Sequence, residues 1–464
     1  MLRKWFFAAS LVVCCTVAIG CDNRDHESAR RKRPTNFILI SMDTVRADHL
    51  GCYGYGRDTT PAIDAYAKRG IIFEKCTSSS SWTVPAHHTI FTSMEPATHG
   101  CVYYPSPGRL SPKFDTMAKI FSRRGFKTAA FTGGGYVGKQ MGFDVGFDHF
   151  ESLDIRFEYN MEATMKWLDE NSDEPFFLFM HGFNAHRPYV PPPPYKHLFA
   201  GDYKGNYEIK EFGPGRPRPD GGDLDYVISQ YDGEIAFIDA MMGDFFRFLQ
   251  QKNVLSDTLV ILTSDHGDEF YEHGRCDHIH NLFDELTAVP WIMFGPGIPA
   301  RRETQHVGTI DILPTVLSIF GLKESIPFQG VDLSALVYGD QSTREQTVFG
   351  FTGKGGEPKH LSSVRTDRWK LVTDIPSGGP NPKCAGCKQK EAEGSVVGLF
   401  DLQADPGEQQ DVGKEHPKVV RELWGILLER LKECGTLAQS TETALPSTPE
   451  YLEALRTLGY VDGD

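Results

Sequence analysis

The sequence predicts an α/β fold in which helices cover both faces of a mostly parallel β-sheet. Five short apolar runs are each followed by polar or glycine-rich residues, and they span residues 36–43, 126–135, 175–182, 257–267 and 288–297. Continuous apolar runs of this length are typical of strands that are buried on both faces. Amphipathic helical patterns, such as those at residues 228–251 and 311–321, separate the runs. This alternation of strand and helix is what predicts the layered fold.

The first residues of the chain are not expected to belong to this fold. A basic head, an apolar run and small residues before Cys21 are typical of a secretory signal over residues 1–21. The Gly-Cys ending favours the lipoprotein type, with Cys21 as the lipidated residue; ordinary cleavage and an uncleaved anchor are the alternatives. The charged residues 22–34 predict a flexible tether. We therefore expect an exported protein, a membrane-anchored bacterial lipoprotein that faces the periplasm or the cell surface.

The remaining chain divides into two parts by its sequence pattern. Residues 35–325 carry the alternating pattern and form the main predicted domain. Residues 326–464 instead show short strand-like runs, a helical pattern at 417–433 and a short helical tail at 448–461. We expect this part to be a smaller C-terminal α+β subdomain, with an antiparallel sheet and helices.

Charge and cysteine content exclude some functions. The formal net charge is −14, which argues against sequence-independent binding of nucleic acid. No segment after the signal is apolar enough to cross a bilayer, so contact with a membrane is expected through the N-terminal lipid only. Cys384 and Cys387 form a C-x-x-C pair. A local disulfide explains this pair better than zinc does, because no second pair accompanies it.

Two of the apolar runs end in side chains that can bind a metal ion. Asp265 and His266 close the run at 257–267, and Asp43 closes the run at 36–43. Ligands of α/β folds gather beyond the carboxyl ends of the strands, so these side chains are expected to meet. Carboxylate and imidazole groups together suit a divalent cation. A surface Asp-His pair in a turn is the alternative, but it does not explain the matching acid on the other strand.

The stretch Thr83-Val84-Pro85-Ala86-His87 predicts a reactive hydroxyl. Pro85 suits the first turn of a helix, which places Thr83 at the N-cap beside unpaired backbone N–H groups. An anionic ester can dock there, and a metal ion at the hydroxyl would make it a nucleophile. His87 lies four residues later and therefore on the same helix face. The structural alternative is that Thr83 only caps the helix and that His87 is a polar surface residue.

In their order along the chain, these motifs resemble the sulfatase family, within the alkaline phosphatase superfamily. The matching segments include NFILISMDTVRADHLGCYGY, WTVPAHHTIFTS, HGFNAHRPYVPPP, LVILTSDHGDEFYEHG, HIHNLFDELTAVPWIMFGPG and VGTIDILPTVLSIFG. Each motif alone is modest, but their common order is specific and extends over nearly all of the chain after residue 35. The resemblance implies an alkaline-phosphatase-like α/β/α sandwich, with residues 35–325 as the catalytic domain.

The resemblance also implies roles for individual residues. Metal binding falls to Asp43, Thr83, Asp265 and His266. Catalysis falls to Thr83, His87, His186 and His278. Thr83 matches the nucleophile, and His87 matches the arginine of the Cys/Ser-x-Pro-x-Arg motif. His186 and His278 match groups that contact the transferred anion. Two further histidines are expected to be solvated loop residues: His273 and His280.

Four departures from the family pattern change the expected chemistry. Sulfatases of the usual kind carry a Cys or Ser at position 83, which is oxidised to formylglycine, and threonine is not a substrate for that oxidation. Thr44 stands where many sulfatases have a second metal aspartate. His87 replaces a permanently charged arginine with a group that titrates near neutrality, and glycines 133–135 stand where a lysine is expected. The set is similar to the single-metal site of phosphonate hydrolases and phosphoethanolamine transferases, and implies one divalent ion, Zn, Mn or Ca.

Three functions are compatible with this site. The first is metal-dependent hydrolysis or transfer of phosphate, phosphodiester or phosphonate esters through a covalent Thr83 intermediate, because water can clear a phospho-threonine. The second is a sulfatase that works without formylglycine. The third is a non-catalytic surface protein that binds anionic glycans. For the two enzymes, the expected partner is a small-molecule or glycan ester that carries a sulfate or phosphate group.

Overall fold

Most of the apolar runs form strands of one central sheet. The computed structural model describes residues 32–339, 347–354, 360–375, 395–438, 448–458 and 460. The expected signal at 1–21, residues 22–31 of the expected tether, and the Cys384–Cys387 pair lie outside these residues. Among the described residues, no helix combines the length and the apolar character that a membrane span requires.

The strands and helices follow the alternation that the sequence predicts. The strands are β1 (Asn36–Met42), β2 (Ile71–Phe73), β3 (Cys76–Thr77), β4 (Tyr103–Tyr104), β5 (Lys127–Thr132), β6 (His149–Ser152), β7 (Phe176–Gly182), β8 (Thr258–Thr263), β9 (Glu269–Phe270), β10 (Cys276–Asp277), β11 (Trp291–Phe294), β12 (Arg301–Glu303), β13 (Val307–Gly308), β14 (Val348–Lys354), β15 (His360–Arg365), β16 (Trp369–Thr373) and β17 (Val396–Asp401). The α-helices are α1 (Pro61–Ala67), α2 (Thr83–Thr92), α3 (Pro96–His99), α4 (Met117–Arg123), α5 (Phe157–Asn171), α6 (Tyr195–Leu198), α7 (Gly221–Gln251), α8 (Asp284–Thr287), α9 (Ile312–Phe320), α10 (Ser334–Val337), α11 (Pro417–Leu437) and α12 (Pro449–Thr457).

The central sheet has eight strands in the order β12-β2-β11-β8-β1-β7-β5-β6. Strand β1 pairs in parallel with both β7 and β8, and β5 pairs in parallel with β6 and β7. Strand β11 is antiparallel to both of its neighbours. The sheet is therefore mostly parallel, as predicted, and the carboxyl ends of β7, β1 and β8 lie side by side at one edge.

Alternate side chains of β1 enter two different hydrophobic cores, which explains why the strand is apolar throughout. Phe37 and Leu39 pack with helices α4 and α9 on one face. Ile38 and Ile40 pack with helices α5 and α7 on the other face. Successive side chains of a strand point to opposite faces, so a strand between two helical layers must be apolar at every position. This arrangement confirms the predicted α/β/α sandwich.

The smaller sheet has the order β17-β16-β15-β14-β4 and is antiparallel except for the pairing of β14 with β4. Strand β4 comes from residues of the main domain, and β14 to β17 come from the C-terminal part. Helix α12 also belongs to the C-terminal part, and it packs against Gly135–Val137 of the main domain. The smaller C-terminal sheet is therefore present as predicted, and the C-terminal part is interlocked with the main domain through β4 and α12, among other contacts.

Candidate active site

The predicted metal ligands meet at the carboxyl edge of the central sheet. Asp43 directly follows β1, and Asp265 and His266 follow β8, its neighbour. All three side chains are buried, and one ligand atom from each lies within 4.8 Å of the others. The parallel register explains this meeting, because Ser41 of β1 pairs with Thr263 of β8 just before the strands end.

Two buried carboxylate oxygens in this cluster, Asp43 Oδ1 and Asp265 Oδ2, have no hydrogen-bond partner among the described residues. Burial raises the pKa of Asp43 well above its usual value, and the negative charge of Asp265 raises it further. Burial alone would also raise the pKa of Asp265, but the imidazoles of His266, His87 and His181 hold it below its usual value. Two close carboxylates, each with one oxygen that accepts no hydrogen bond from the described residues, fit a divalent cation, which would neutralise both.

The imidazole of His266 is oriented for the same ion. Its Nδ1–H donates to the carbonyl of Gly267 at 3.0 Å. Its Nε2 lies 3.3 Å from Asp265 Oδ2 and 3.3 Å from Thr83 Oγ1. A hydrogen bond at one ring nitrogen fixes the tautomer and leaves the other nitrogen free to bind a metal. Asp43, Asp265 and His266 therefore fit one divalent ion at the side of the Thr83 hydroxyl.

A second group, His266 with Asp268 and His278, also has the spacing of metal ligands. Asp268 is less suitable because both of its oxygens already have partners. It accepts a hydrogen bond from Tyr189 Oη at 2.6 Å and one from His278 Nδ1 at 2.7 Å. We therefore assign Asp268 to holding His278.

Thr83 is buried at the start of helix α2, one position later than the sequence predicted. The structure places Trp82 at the N-cap with an extended backbone, and Thr83 is the first helical residue. The predicted N-cap position of Thr83 is therefore wrong. Its hydroxyl faces His266 instead of the backbone N–H groups of the first turn. This leaves the hydroxyl available for chemistry beside Asp43, Asp265 and His266, the three proposed metal ligands that we call the metal cluster.

His87 lies on the same helix face as Thr83, as predicted, and it is fully buried. Its Nδ1–H donates to the carbonyl of Thr83 at 2.9 Å, and its Nε2 lies 2.9 Å from Ser41 Oγ. Asp265 Oδ2 is 3.5 Å from Nδ1. Burial lowers the pKa of His87, so a neutral ring is favoured. The surface position that was the alternative for His87 is wrong, because the ring is fully buried and contacts Ser41 of β1.

His186 and His278 lie together, with ring centroids 5.1 Å apart, and the His278 ring centroid is 4.5 Å from that of His266. Burial and the nearby His278 lower the pKa of His186 to about 4. Burial alone would lower the pKa of His278, but the carboxylates of Asp277 and Asp268 raise it well above its usual value. The pair therefore combines a neutral imidazole with an imidazolium that can face an anion.

Thr44 does not take the place of a metal ligand. Its hydroxyl donates to the carbonyl of Ala185 at 2.6 Å, and its backbone N–H donates to Asp265 Oδ1 at 3.3 Å. Thr44 therefore orients Asp265 and ties the turn after β1 to the loop that carries His186.

The expectation that His273 and His280 are solvated is wrong, although both lie outside the metal cluster. His273 Nδ1 pairs with Glu285 Oε1 at 2.7 Å, and His280 Nε2 pairs with Glu269 Oε2 at 2.6 Å. Their side chains are only 13% and 7% exposed. Buried carboxylates from the neighbouring segments hold both rings inside the structure.

Sequence reasoning missed three residues of the site. His181 ends the run at 175–182, and its Nε2 lies 3.1 Å from Asp43 Oδ2. Asp268 lies in the same motif as Asp265. For both, a signal was present, because polar residues at strand ends tend to gather at one edge of the sheet. The third is Tyr460, whose hydroxyl lies 2.8 Å from His186 Nε2, and nothing in the sequence pointed to it.

The chain is similar in sequence to a known protein family. Residues 35–322 match the family model of the sulfatases. The chain is 22% identical to a Δ4,5-hexuronate-2-O-sulfatase of Bacteroides thetaiotaomicron, over 86% of this chain and 89% of that protein. It is 23% identical to human arylsulfatase A, over 82% of this chain and 83% of that protein.

A solved structure shares the fold. The phosphonate monoester hydrolase of Agrobacterium radiobacter superposes with a TM-score of 0.70 at 20% identity, over 87% of this chain and 96% of that one. The family match covers more than half of the chain, and the relatives match over most of their length. The chain belongs to the sulfatase family, and it is an ester hydrolase of that family.

Proposed function

We propose that the protein is a metal-dependent hydrolase or transferase that acts on phosphate, phosphodiester or phosphonate esters through a covalent ester of Thr83. One observation carries this proposal: the buried Thr83 hydroxyl lies 3.3 Å from His266 Nε2, at the side of two carboxylates with unpaired oxygens. A hydroxyl in this position has the surroundings of a metal-activated nucleophile.

Asp43, Asp265 and His266 would hold the ion, with the Thr83 hydroxyl as a further ligand. A bound divalent ion supplies positive charge that lowers the pKa of the Thr83 hydroxyl. Oxygen ligands with one imidazole nitrogen suit zinc or manganese at least as well as calcium. His87 would act as a positioning residue, because its hydrogen bonds to Ser41 and to the Thr83 carbonyl fix the first turn of α2.

The reaction would run in two steps. Thr83 loses its proton and its oxygen attacks phosphorus, the bond to the leaving oxygen breaks, and the leaving oxygen takes up a proton. Water then attacks the same phosphorus, the bond to the Thr83 oxygen breaks, and Thr83 regains a proton from that water. In a transferase an acceptor alcohol would replace the water. The imidazolium of His278 would stabilise the negative charge of the transferred group in both steps.

Phosphorus is favoured over sulfur because of the residue at position 83. The aldehyde hydrate of formylglycine can release its sulfate by elimination, but a threonine ester cannot. Water must therefore attack the phosphorus or sulfur atom of the threonine ester. This displacement is ordinary chemistry at phosphorus beside a metal ion. The likeness to a phosphonate monoester hydrolase supports the same class of substrate.

Hydrolysis of sulfate esters without formylglycine is the second candidate. The observation that favours it is that both named relatives are sulfatases, one of hexuronates and one of aryl sulfates. Its substrate would be a small-molecule or glycan ester that carries an anionic sulfate. The third hypothesis, a non-catalytic glycan-binding protein, is disfavoured because the nucleophile and the metal cluster are assembled around one point.

From residues 1–21, we further propose that the enzyme is exported and anchored to a membrane by a lipid on Cys21. Globomycin treatment of expressing bacterial cells should then cause an unprocessed precursor to accumulate. Normal processing under that treatment would contradict the lipid anchor.

The test of the function compares rates on matched p-nitrophenyl phosphodiester, phosphonate and sulfate substrates with metal-loaded protein. Thr83→Ala is expected to lower turnover of the phosphorus esters by at least about a thousandfold, whereas Thr83→Ser should keep measurable turnover. Thr92→Ala is the matched control, since Thr92 ends the same helix and its hydroxyl donates to the His88 carbonyl. Faster sulfate turnover that depends on Thr83 would replace the first candidate with the second.

A further inference from the structure

The C-terminal segment places a phenol inside the active site. Tyr460 Oη lies 2.8 Å from His186 Nε2 and 3.1 Å from His278 Nε2. Burial raises the pKa of Tyr460 well above its usual value, and the nearby charges of Asp43 and Asp277 raise it further. The hydroxyl therefore touches both of the histidines that are expected to contact the transferred group, His186 and His278.

The segment that carries Tyr460 is anchored in the main hydrophobic core. Leu455 and Leu458 of this segment are 5% and 2% exposed and belong to that core. Leu458 packs over Gly135, where a Cβ atom would come within 3.4 Å of its side chain. The Tyr460 ring lies against the ring of Tyr136, with centroids 4.8 Å apart. Withdrawal of Tyr460 would expose these groups, so the phenol oxygen is expected to stay in the site when a substrate binds.

The hydrogen bonds of the histidines define what this phenol can do. His186 donates its Nδ1–H to the carbonyl of Arg187 at 2.6 Å, so its Nε2 is an acceptor and the Tyr460 O–H donates to it. Because the single phenol proton points to His186, the 3.1 Å contact requires that His278 donates its Nε2–H to Tyr460 Oη. Of these three side chains, Tyr460 has the donor that can turn most easily toward an anion. Rotation about its Cζ–Oη bond redirects the proton, and the oxygen stays in contact with His278.

We propose that Tyr460 is a further catalytic residue, whose hydroxyl donates a hydrogen bond to an oxygen of the transferred phosphoryl or sulfuryl group. This inference rests on the proposed function of the same site. An anionic oxygen competes well with the neutral His186 nitrogen for this proton, because hydrogen bonds to charged acceptors are the stronger ones. The contact with His278 polarises the phenol and so strengthens its donated hydrogen bond.

The test is Tyr460→Phe in the full, metal-loaded protein, because it removes the hydroxyl and keeps the ring that packs on Tyr136. Tyr451→Phe is the matched control, since Tyr451 lies in α12 and packs against the same core. Tyr460→Phe should lower kcat/KM by about tenfold to a hundredfold and weaken the binding of inorganic phosphate to a similar degree. The temperature of unfolding should change little in either variant.

Three outcomes would overturn the proposal. Unchanged phosphate affinity in Tyr460→Phe would mean that the phenol only packs. Tighter phosphate binding with faster turnover would mean that the hydroxyl blocks the site. Equal losses of kcat/KM and phosphate affinity in Tyr451→Phe would mean that the effect comes from the packing of α12 and the residues after it. Phosphate binding, measured by calorimetry, does not need turnover, so it tests Tyr460 even if every ester of the panel proves inert and the proposed function fails.

Discussion

His181 is a buried side chain that contacts one of the proposed metal ligands, Asp43. Its ring is fully buried and its Nε2–H donates to Asp43 Oδ2, which leaves Asp43 Oδ1 directed into the cluster without a partner. Partners of this kind fix the orientation of a metal-binding carboxylate.

Replacement of His181 by Phe should therefore weaken metal binding while the fold is kept. We expect the affinity for zinc or manganese, measured by calorimetric titration of metal-free protein, to fall by about tenfold to a hundredfold. His88→Phe is the matched control, because His88 is equally buried and stacks on Phe143 at 4.2 Å. Equal metal affinity in the two variants would show that Asp43 does not need the His181 hydrogen bond.

The metal cluster was predictable from the sequence because its residues follow strands. Asp43, Asp265 and His266 come directly after apolar runs, and parallel strands bring their carboxyl ends together. Tyr460 could not be predicted in this way, because its position depends on where a distant helix docks. The burial of His280 could not be predicted either, because its partner Glu269 lies in β9, a two-residue strand that pairs with β10.

Strands and helices were predictable where their patterns were long. The runs that became β1, β7 and β8 are buried at every position, so the sequence alone marks them as central strands. The antiparallel direction of β11 was not predictable, because burial on both faces does not specify strand direction. Strand β4 has two residues and pairs with β14 far along the chain, so no local pattern marks it.

Helix α7 carries a buried acid that makes the stability of the protein depend on pH. Burial raises the pKa of Glu234 from its ordinary value of 4.5 to about 8, although the Val190 N–H donates to it at 2.9 Å. Between these two values the folded protein keeps the proton and the unfolded chain loses it. The free energy of unfolding should therefore fall as the pH rises from 4.5 to 8.

Glu234→Gln should remove this pH-dependent loss of stability, because the amide keeps the shape of the side chain and its acceptor oxygen but carries no charge. At pH 8.5 we expect the variant to be more stable than the wild type by about 4–5 kcal/mol, and at pH 4.5 to be nearly equal. Urea denaturation at both pH values measures the difference. Asp225→Asn, at an exposed position of the same helix, should leave the pH profile unchanged. A wild-type profile without any fall over this range would contradict the role of Glu234.

The whole molecule behaves as two interlocked parts, and the buried ion pair between Arg430 and Glu95 is one of the contacts that join them. Arg430 of α11 donates to Glu95 Oε1 at 2.8 Å and to the carbonyl of Gln329 at 2.8 Å. Glu95 is buried at the start of α3, and its other carboxylate oxygen has no partner. Burial raises the pKa of Glu95, and the guanidinium of Arg430 opposes the rise. The charge on Glu95 therefore depends on the presence of Arg430 in helix α11.

Arg430→Met should consequently cost more than the loss of an ordinary ion pair, because it leaves a carboxylate buried without its cation. We expect the free energy of unfolding at pH 8 to fall by about 3–5 kcal/mol. The double variant Arg430→Met with Glu95→Gln should recover most of this loss, since no charge is then left buried. Arg156→Met is the control, because the Arg156–Asp154 pair lies at the surface and its loss should cost at most about 1 kcal/mol. If the double variant were as unstable as Arg430→Met, the loss would come from packing of α11, and the buried charge of Glu95 would not be what couples the C-terminal sheet to the active-site domain.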